Sequence, residues 1–468
     1  MKRKVLSVLL AASMLAGVLA GCGSKGEEKG AAAPAASEAP AGETSADETS
    51  ADETSAEQGK VVNIYCWNDE FKQRYEAYAA DLADTHGVEV NFVIVANENN
   101  AYQNNLDTAL QEQENVAADD KVDIFLIEAD YASKYTNTEY TLDVMNDVGL
   151  TADDLAGQYQ YTKDIVTVDG IQKGTTWQAT PGLFAYRRSI AKEVLGTDDP
   201  VEVQAKLSDW DKFDGVASDM KEKGYFMLSG YDDSFRTFSN NMSSPWVNDN
   251  QIIIDPNILR WVEQTMTYTE KGYNNKTTLW APEWSADQGP DGKVFGFFYS
   301  TWGINFTLLG NSLADAEAEQ AVGNGIFGDY AVCEGPQAYY WGGTWICAAK
   351  GTDNIPFIKD LMYRLTCDAE TMKQITVDTQ DYTNNVSAME EIAKSDYTSD
   401  FLGGQNHIAL FSESAKKIDM SNISDYDQGL NEAIQQAMHE YFEGKVDYET
   451  ALGNFYTSAF EKYPELTK

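Results

Sequence analysis

Four short stretches of this chain concentrate aromatic rings, two of them directly beside carboxylates or amides. They are Trp67-Asn68-Asp69, Glu128-Ala129-Asp130-Tyr131, Tyr299-Ser300-Thr301-Trp302 and Trp341-Gly342-Gly343. A sugar ring has apolar C–H faces and a rim of hydroxyls. A site for it needs flat aromatic plates for the faces and Asp, Asn, Glu or Arg for the rim, and a charged partner strengthens each such hydrogen bond. With 10 Trp and 26 Tyr, many of them in loops beside acids, the chain supplies both parts. Trp67, Asn68, Asp69, Glu128, Asp130, Tyr131, Trp302 and Trp341 are the leading candidate contacts. Gly342 and Gly343 read either as backbone that a ligand approaches closely or as a hinge. Trp177, Arg236, Trp246, Trp280 and Trp284 rank behind them, while Trp210, Trp261 and Trp345 sit in patterns typical of a core.

Catalytic patterns are sparse. The chain has 3 His: His86 closes a helix-like segment and His439 lies in one, so structural roles fit them better than metal or base chemistry. No Gly-x-Ser-x-Gly, His-Glu-x-x-His, P-loop or EF-hand pattern is present. No cofactor, metal or catalytic residue is expected. Paired carboxylates do serve glycoside hydrolysis, so a surface glycoside-active enzyme is the second reading, and a non-transport adhesin or signalling receptor the third.

These residues need elements to position them. Val61 to Trp67, Val88 to Val95 and Val122 to Ile127 read as strands, separated by helices over 71–83 and 101–114. Continuous apolar strands alternating with helices predict a parallel sheet covered on both faces. Ligands bind such sheets at the carboxyl ends of the strands, where Trp67-Asn68-Asp69-Glu70 and Glu128-Ala129-Asp130-Tyr131 stand. Further helices are predicted over 209–224, 256–272 and from Asn354 to Leu365, with a mostly helical C-terminal stretch of about 60 residues.

Upstream of this region the chain is built differently. Lys2, Arg3 and Lys4 precede an apolar stretch from Val5 to Leu19, which ends in Leu19-Ala20-Gly21-Cys22. A charged start, a short apolar core and small residues before the cleavage point predict a secretory signal over 1–21 rather than a spanning helix. After Cys22, residues 23–60 are mainly Ala, Glu, Ser, Thr, Gly and Pro with no aromatic ring, and Ala-Asp-Glu-Thr-Ser at 46–50 recurs at 51–55. Such a segment cannot bury enough apolar surface to fold, so a disordered acidic tether is predicted. A net charge of −41 argues against nucleic-acid binding and against adsorption to anionic lipid. Cys66, Cys333, Cys347 and Cys367 show no paired spacing and are expected as free thiols.

Leu-Ala-Gly-Cys resembles the bacterial lipobox, which implies that Cys22 carries acyl chains such as palmitate and becomes the new N-terminus. The wider order of pieces resembles the extracellular solute-binding lipoproteins of bacterial carbohydrate ABC importers, type II and maltose-binding-protein-like. The likeness rests on the lipobox and acidic linker, the first strand ending in Trp-Asn-Asp-Glu and the Asp-Ile-Phe-Leu-Ile strand with its acidic-aromatic corner. It also rests on Leu183-Phe184-Ala185-Tyr186-Arg187-Arg188 and Tyr340-Trp341-Gly342-Gly343-Thr344-Trp345 as two crossings between lobes, and on Tyr299-Ser300-Thr301-Trp302 as a platform segment.

The resemblance implies an α/β protein of two lobes with the ligand cleft between them, and adds Tyr186 as a contact. The expected divisions are 61–185 and 344–380 for lobe 1, and 186–343 and 381–468 for lobe 2. It further implies a monomer, held to the cell membrane only through lipid, that captures a carbohydrate such as an oligosaccharide and hands it to ABC permease subunits. A peptide or polyol ligand on the same fold stays open.

Overall fold

Why the apolar runs become strands is visible in what covers them. A computed structural model describes residues 59–468; the predicted signal segment, Cys22 and the tether up to residue 58 lie outside the described residues. The strands that matter for the cleft are β1 (Val61–Cys66), β2 (Glu89–Ile94), β3 (Val122–Glu128), β4 (Thr175–Thr176) and β5 (Gly182–Arg187). They are followed by β6 (Leu228–Gly230), β7 (Asn274–Thr277), β8 (Gly296–Ser300), β9 (Tyr330–Cys333) and β10 (Thr344–Ala348). β3 is buried at every position but its last, because helices lie on both faces of its sheet.

Two sheets organise the chain. The first runs β2-β1-β3-β10-β4. β1, β2 and β3 are parallel as predicted, but β10 and β4 join in antiparallel register, so the sheet is mixed. β10 comes back from the other lobe, which frees it from the right-handed helical crossover that a parallel neighbour requires. The second sheet places β5 between β8 and β9, all antiparallel. The parallel pair β7-β6 extends it through a bridge between Phe226 and Val294.

Helices cap where the sequence marks them. Pro256 opens the helix Pro256–Lys271 with Asp255 accepting the Asn257 N–H, and Gly272 closes it in the left-handed conformation. The single helix predicted over 71–83 is instead two, Glu70–Tyr78 and Asp81–His86, because Ala79 leaves helical geometry. Gly87 ends the second in the left-handed region. Cys66, Cys333 and Cys347 are buried free thiols and Cys367 is partly buried and free.

Three segments lie side by side between the two sheets. Residues 177–182 are in the middle: Gly182 N–H donates to the Tyr339 carbonyl at 2.7 Å and Trp341 N–H to that of Thr180 at 3.1 Å. On the other flank Ala179 N–H donates to Tyr382 O and Asn384 N–H to Trp177 O. Gly182 is required here, since a Cβ would stand 2.1 Å from Cζ of the Tyr339 ring. The chain therefore passes between lobes three times, and the predicted boundary at 185/186 falls inside β5.

Candidate functional site

The site grows from the carboxyl end of β3. Beyond Glu128 the chain makes a tight turn over Ala129–Tyr131, in which the Glu128 carboxylate accepts the Asp130 N–H at 2.7 Å. Ala129 N–H donates to the Gly343 carbonyl, so the turn is tied to the middle of the return crossing. This fixes Asp130 at the rim of the first lobe.

Arg236 faces it from the second lobe, on the short helix Phe235–Ser239. Its two terminal nitrogens donate to the two Asp130 oxygens at 2.7 and 2.5 Å. The guanidinium lies 5.4 Å over the ring of Trp341. Burial works to raise the Asp130 carboxyl, but the Arg236 charge and its hydrogen bonds outweigh that and hold Asp130 below the usual carboxylate range. Glu128 goes the other way, pushed up by burial and then by the neighbouring Asp130 charge.

Trp341 is the centre of an aromatic wall. Tyr299 stacks on it almost in parallel, 6° and 5.6 Å apart. Trp302 meets it edge-on at 5.3 Å and donates its indole N–H to the Trp341 carbonyl at 2.8 Å. Trp280 stands 5.9 Å from Trp341, 54 % exposed and with its backbone at a positive φ of 68°. Trp284, behind it, donates to Asp233 at 3.0 Å. Gly342 is needed for this packing, because a Cβ there would lie 3.0 Å from the Trp302 indole nitrogen.

Between the lobes runs a cleft of about 1300 Å³ counted to its open mouth, with Asp130 and Ile165 on one side and Arg236, Trp284, Trp341 and Asp427 among the residues on the other. Burial pushes the carboxyls of Asp233 and Asp427 up to about 6 and about 7. Among the described residues no group of three or more His, Cys, Asp or Glu is placed to hold a metal ion.

Of the residues singled out in the sequence, the structure puts Asp130 and Trp341 on the cleft wall, with Trp302, Gly342 and Gly343 directly behind Trp341. Tyr131 and Trp67 form a second layer: the Trp67 ring packs edge-on against Tyr131 and Tyr102. Asn68 and Asp69 accept from Glu70 N–H and the Gln73 amide, so they start a helix. Tyr186 lies in the second lobe's core, fully buried against Phe295, with its hydroxyl donating to Asp198 O. Arg236, ranked low from sequence, turns out to hold the centre; its one legible signal is being the only Arg or Lys between Lys223 and Arg260. Asp427 carried no signal of its own, although the helix that bears it lies in the stretch predicted to be helical.

Several solved structures share this architecture. One described as an extracellular solute-binding protein family 1 member is 17 % identical and superposes with a TM-score of 0.71, covering 85 % of this chain and 99 % of that one. The ABC transporter associated binding protein from B. animalis subsp. lactis Bl-04, in complex with beta-1,6-galactobiose, is 16 % identical with a TM-score of 0.64, covering 88 % and 99 %. The galacto-N-biose-/lacto-N-biose I-binding protein of the ABC transporter from Bifidobacterium longum is 12 % identical with a TM-score of 0.64, covering 88 % and 100 %. At these identities the likeness establishes the fold: two lobes with a ligand cleft between them. No curated protein sequence matches the chain. The sequence profile of the bacterial extracellular solute-binding proteins matches residues 75–401, and the chain belongs to that family.

Proposed function

We propose that this protein captures a sugar or oligosaccharide in the interlobe cleft and delivers it to an ABC permease. The observation that carries the reading is an interlobe cleft lined by Trp284 and Trp341, the latter backed by Tyr299 and Trp302, together with the Asp130–Arg236 pair. The rings offer faces for apolar C–H surfaces, and the ion pair offers both donors and acceptors for hydroxyls. Relatives of the same fold hold galactobiose and lacto-N-biose, which supports a saccharide over a peptide. Binding to both walls favours the closed arrangement in proportion to the contacts made only there. The sugar leaves chemically unchanged.

The test is thermal unfolding of the purified protein with a panel of mono- and oligosaccharides. A ligand at 100 times its dissociation constant stabilises the native state by about 2.7 kcal/mol, a shift of several degrees. A shift with the same sugar recovered intact by chromatography supports capture. Consumption of the sugar would favour the glycoside-active reading, and shifts by peptides alone would overturn the substrate class.

The anchoring is part of the same reading. Cys22 carries the lipid, and the acidic tether spaces the binding unit from the membrane. Among the described residues no helix is long and apolar enough to cross a membrane. Cys22→Ser is expected to release the protein from the membrane fraction into the medium; retention would sink the anchor assignment.

A further inference from the structure

The charges on the cleft wall bear on which saccharide enters, an inference that rests on the saccharide reading above. Six carboxylates line the cleft, from Asp130, Asp232, Asp233, Asp419, Asp427 and Glu432, against the single guanidinium of Arg236. Arg236 is already held at two points by Asp130. Asp232 faces His439 at 2.8 and 2.9 Å, and Glu432 is paired with Lys462 at 3.1 Å.

Asp233, Asp419 and Asp427 have no cationic partner among the described residues. Asp233 is satisfied by neutral donors alone, the N–H groups of Ser229 and Gly230 and the Trp284 indole. Asp427 uses one oxygen, Oδ1, for the Ser424 N–H and hydroxyl, and its Oδ2 has no hydrogen-bond partner among the described residues.

A ligand carboxylate, sulfate or phosphate entering this cleft meets three acidic side chains that have no cationic partner among the described residues. Arg236 is the only cation among the described residues lining the cleft, and taking it would strip Asp130. An ammonium group meets the reverse: an acceptor at Asp427 and aromatic faces of the kind that already bear the Arg236 guanidinium over Trp341. The chain's net charge of −41 adds a long-range field of the same sign.

We propose that the cleft sorts saccharides by charge, taking an amino-substituted sugar in preference to its neutral analogue and the neutral analogue in preference to the acidic one. The experiment is calorimetric titration of the full protein with matched series: glucosamine, glucose and glucuronate, the corresponding galacto series, and 1,4-linked dimers of each. Adjacent members of a series that binds are expected to differ about tenfold in dissociation constant at low salt, the size of one unscreened surface-type charge contact. The gap should narrow as salt rises. Asp427→Asn should shrink the step between amino and neutral sugars; an unchanged step removes Asp427 from the assignment. Equal binding of acidic and neutral members overturns the charge sorting while leaving the saccharide reading intact. Failure of every saccharide to bind overturns both.

Discussion

Arg236 and Asp130 close the cleft from opposite lobes, joined by two parallel hydrogen bonds of 2.7 and 2.5 Å. Among the described residues no other charged pair does this across the cleft wall: Asp232–His439 and Glu432–Lys462 each stay within the second lobe. A two-point guanidinium–carboxylate contact fixes orientation as well as distance, so it sets how the lobes face one another.

Arg236→Ala is expected to destabilise the protein by about 1–2 kcal/mol, the lower part of the range for charged hydrogen bonds because solvent reaches both side chains. Arg236→Lys should recover only part of this, since an ammonium cannot make the fork. Urea unfolding gives the energy, and small-angle scattering should show a larger radius of gyration for Arg236→Ala as the lobes part. Unaltered scattering would mean that the three crossings alone hold the interlobe angle.

The crossings carry their own polar lock. The Gln178 amide donates to both Glu70 and Asp381 at 3.0 Å, and Asp381 also accepts from Thr301 at 2.7 Å. Burial pushes the Glu70 carboxyl up to about 7, with Arg74 opposing and Asp381 adding to the rise. The folded state therefore holds this proton more tightly than the unfolded chain. Its stabilising share is full below the ordinary Glu value near 4.3 and is lost as pH rises through about 7. Glu70→Gln should flatten the fall in melting temperature between pH 5 and 8, read as a pH series of melting curves for both proteins. Parallel curves would show that other groups set the slope.

Trp280 and Trp341 should separate binding from stability. Trp341 is 8 % exposed and packed on three sides, so Trp341→Ala should cost about 3–5 kcal/mol. Trp280 is exposed, so Trp280→Ala should stay within about 0.5 kcal/mol in stability. Its loss of a ring contact, about 0.5–1.5 kcal/mol, should appear in saccharide affinity instead. Titration and urea unfolding of both variants make the comparison, and an unaltered affinity for Trp280→Ala would exclude it from the binding surface.

Gly343 has a φ of 112°, and a Cβ there would stand 3.0 Å from the Trp345 ring. Gly323 has a similar φ of 104° with nothing within 4 Å. Both Ala variants pay the backbone strain of about 1–3 kcal/mol, and Gly343→Ala should lose more because it also crowds the crossing. Equal melting temperatures for the two variants would show that the crossing yields freely.

Much of the first lobe is legible from sequence because its signals are local. Val61 to Trp67 and Val122 to Ile127 are apolar runs interrupted only by Asn63 and Asp123, and such runs fold as strands covered on both faces. The Gly342-Gly343 pair reads as a close approach or a hinge, and both residues stand at positive φ. The rest depends on partners far along the chain. β5 is buried at all six positions, so no alternation tells which of its side chains face the cleft, and Tyr186 cannot be distinguished from a contact by pattern. Arg236 owes its place to Asp130, more than a hundred residues away. The antiparallel entry of β10 into the first sheet follows from the crossings, which no periodicity encodes.

That entry has a consequence for how the protein is made. β10 lies between β3 and β4, so the first sheet stays unfinished until residue 348 has left the ribosome. By then β5 to β9 of the second sheet are complete. The first sheet is thus completed after the strands of the second, by a strand that returns from the neighbouring lobe, and neither lobe can be cut out as a continuous piece of sequence. Long-range pairing of this kind slows folding and leaves strand edges bare while it waits. An exported chain of this design spends its vulnerable interval with β3 unpaired on one side.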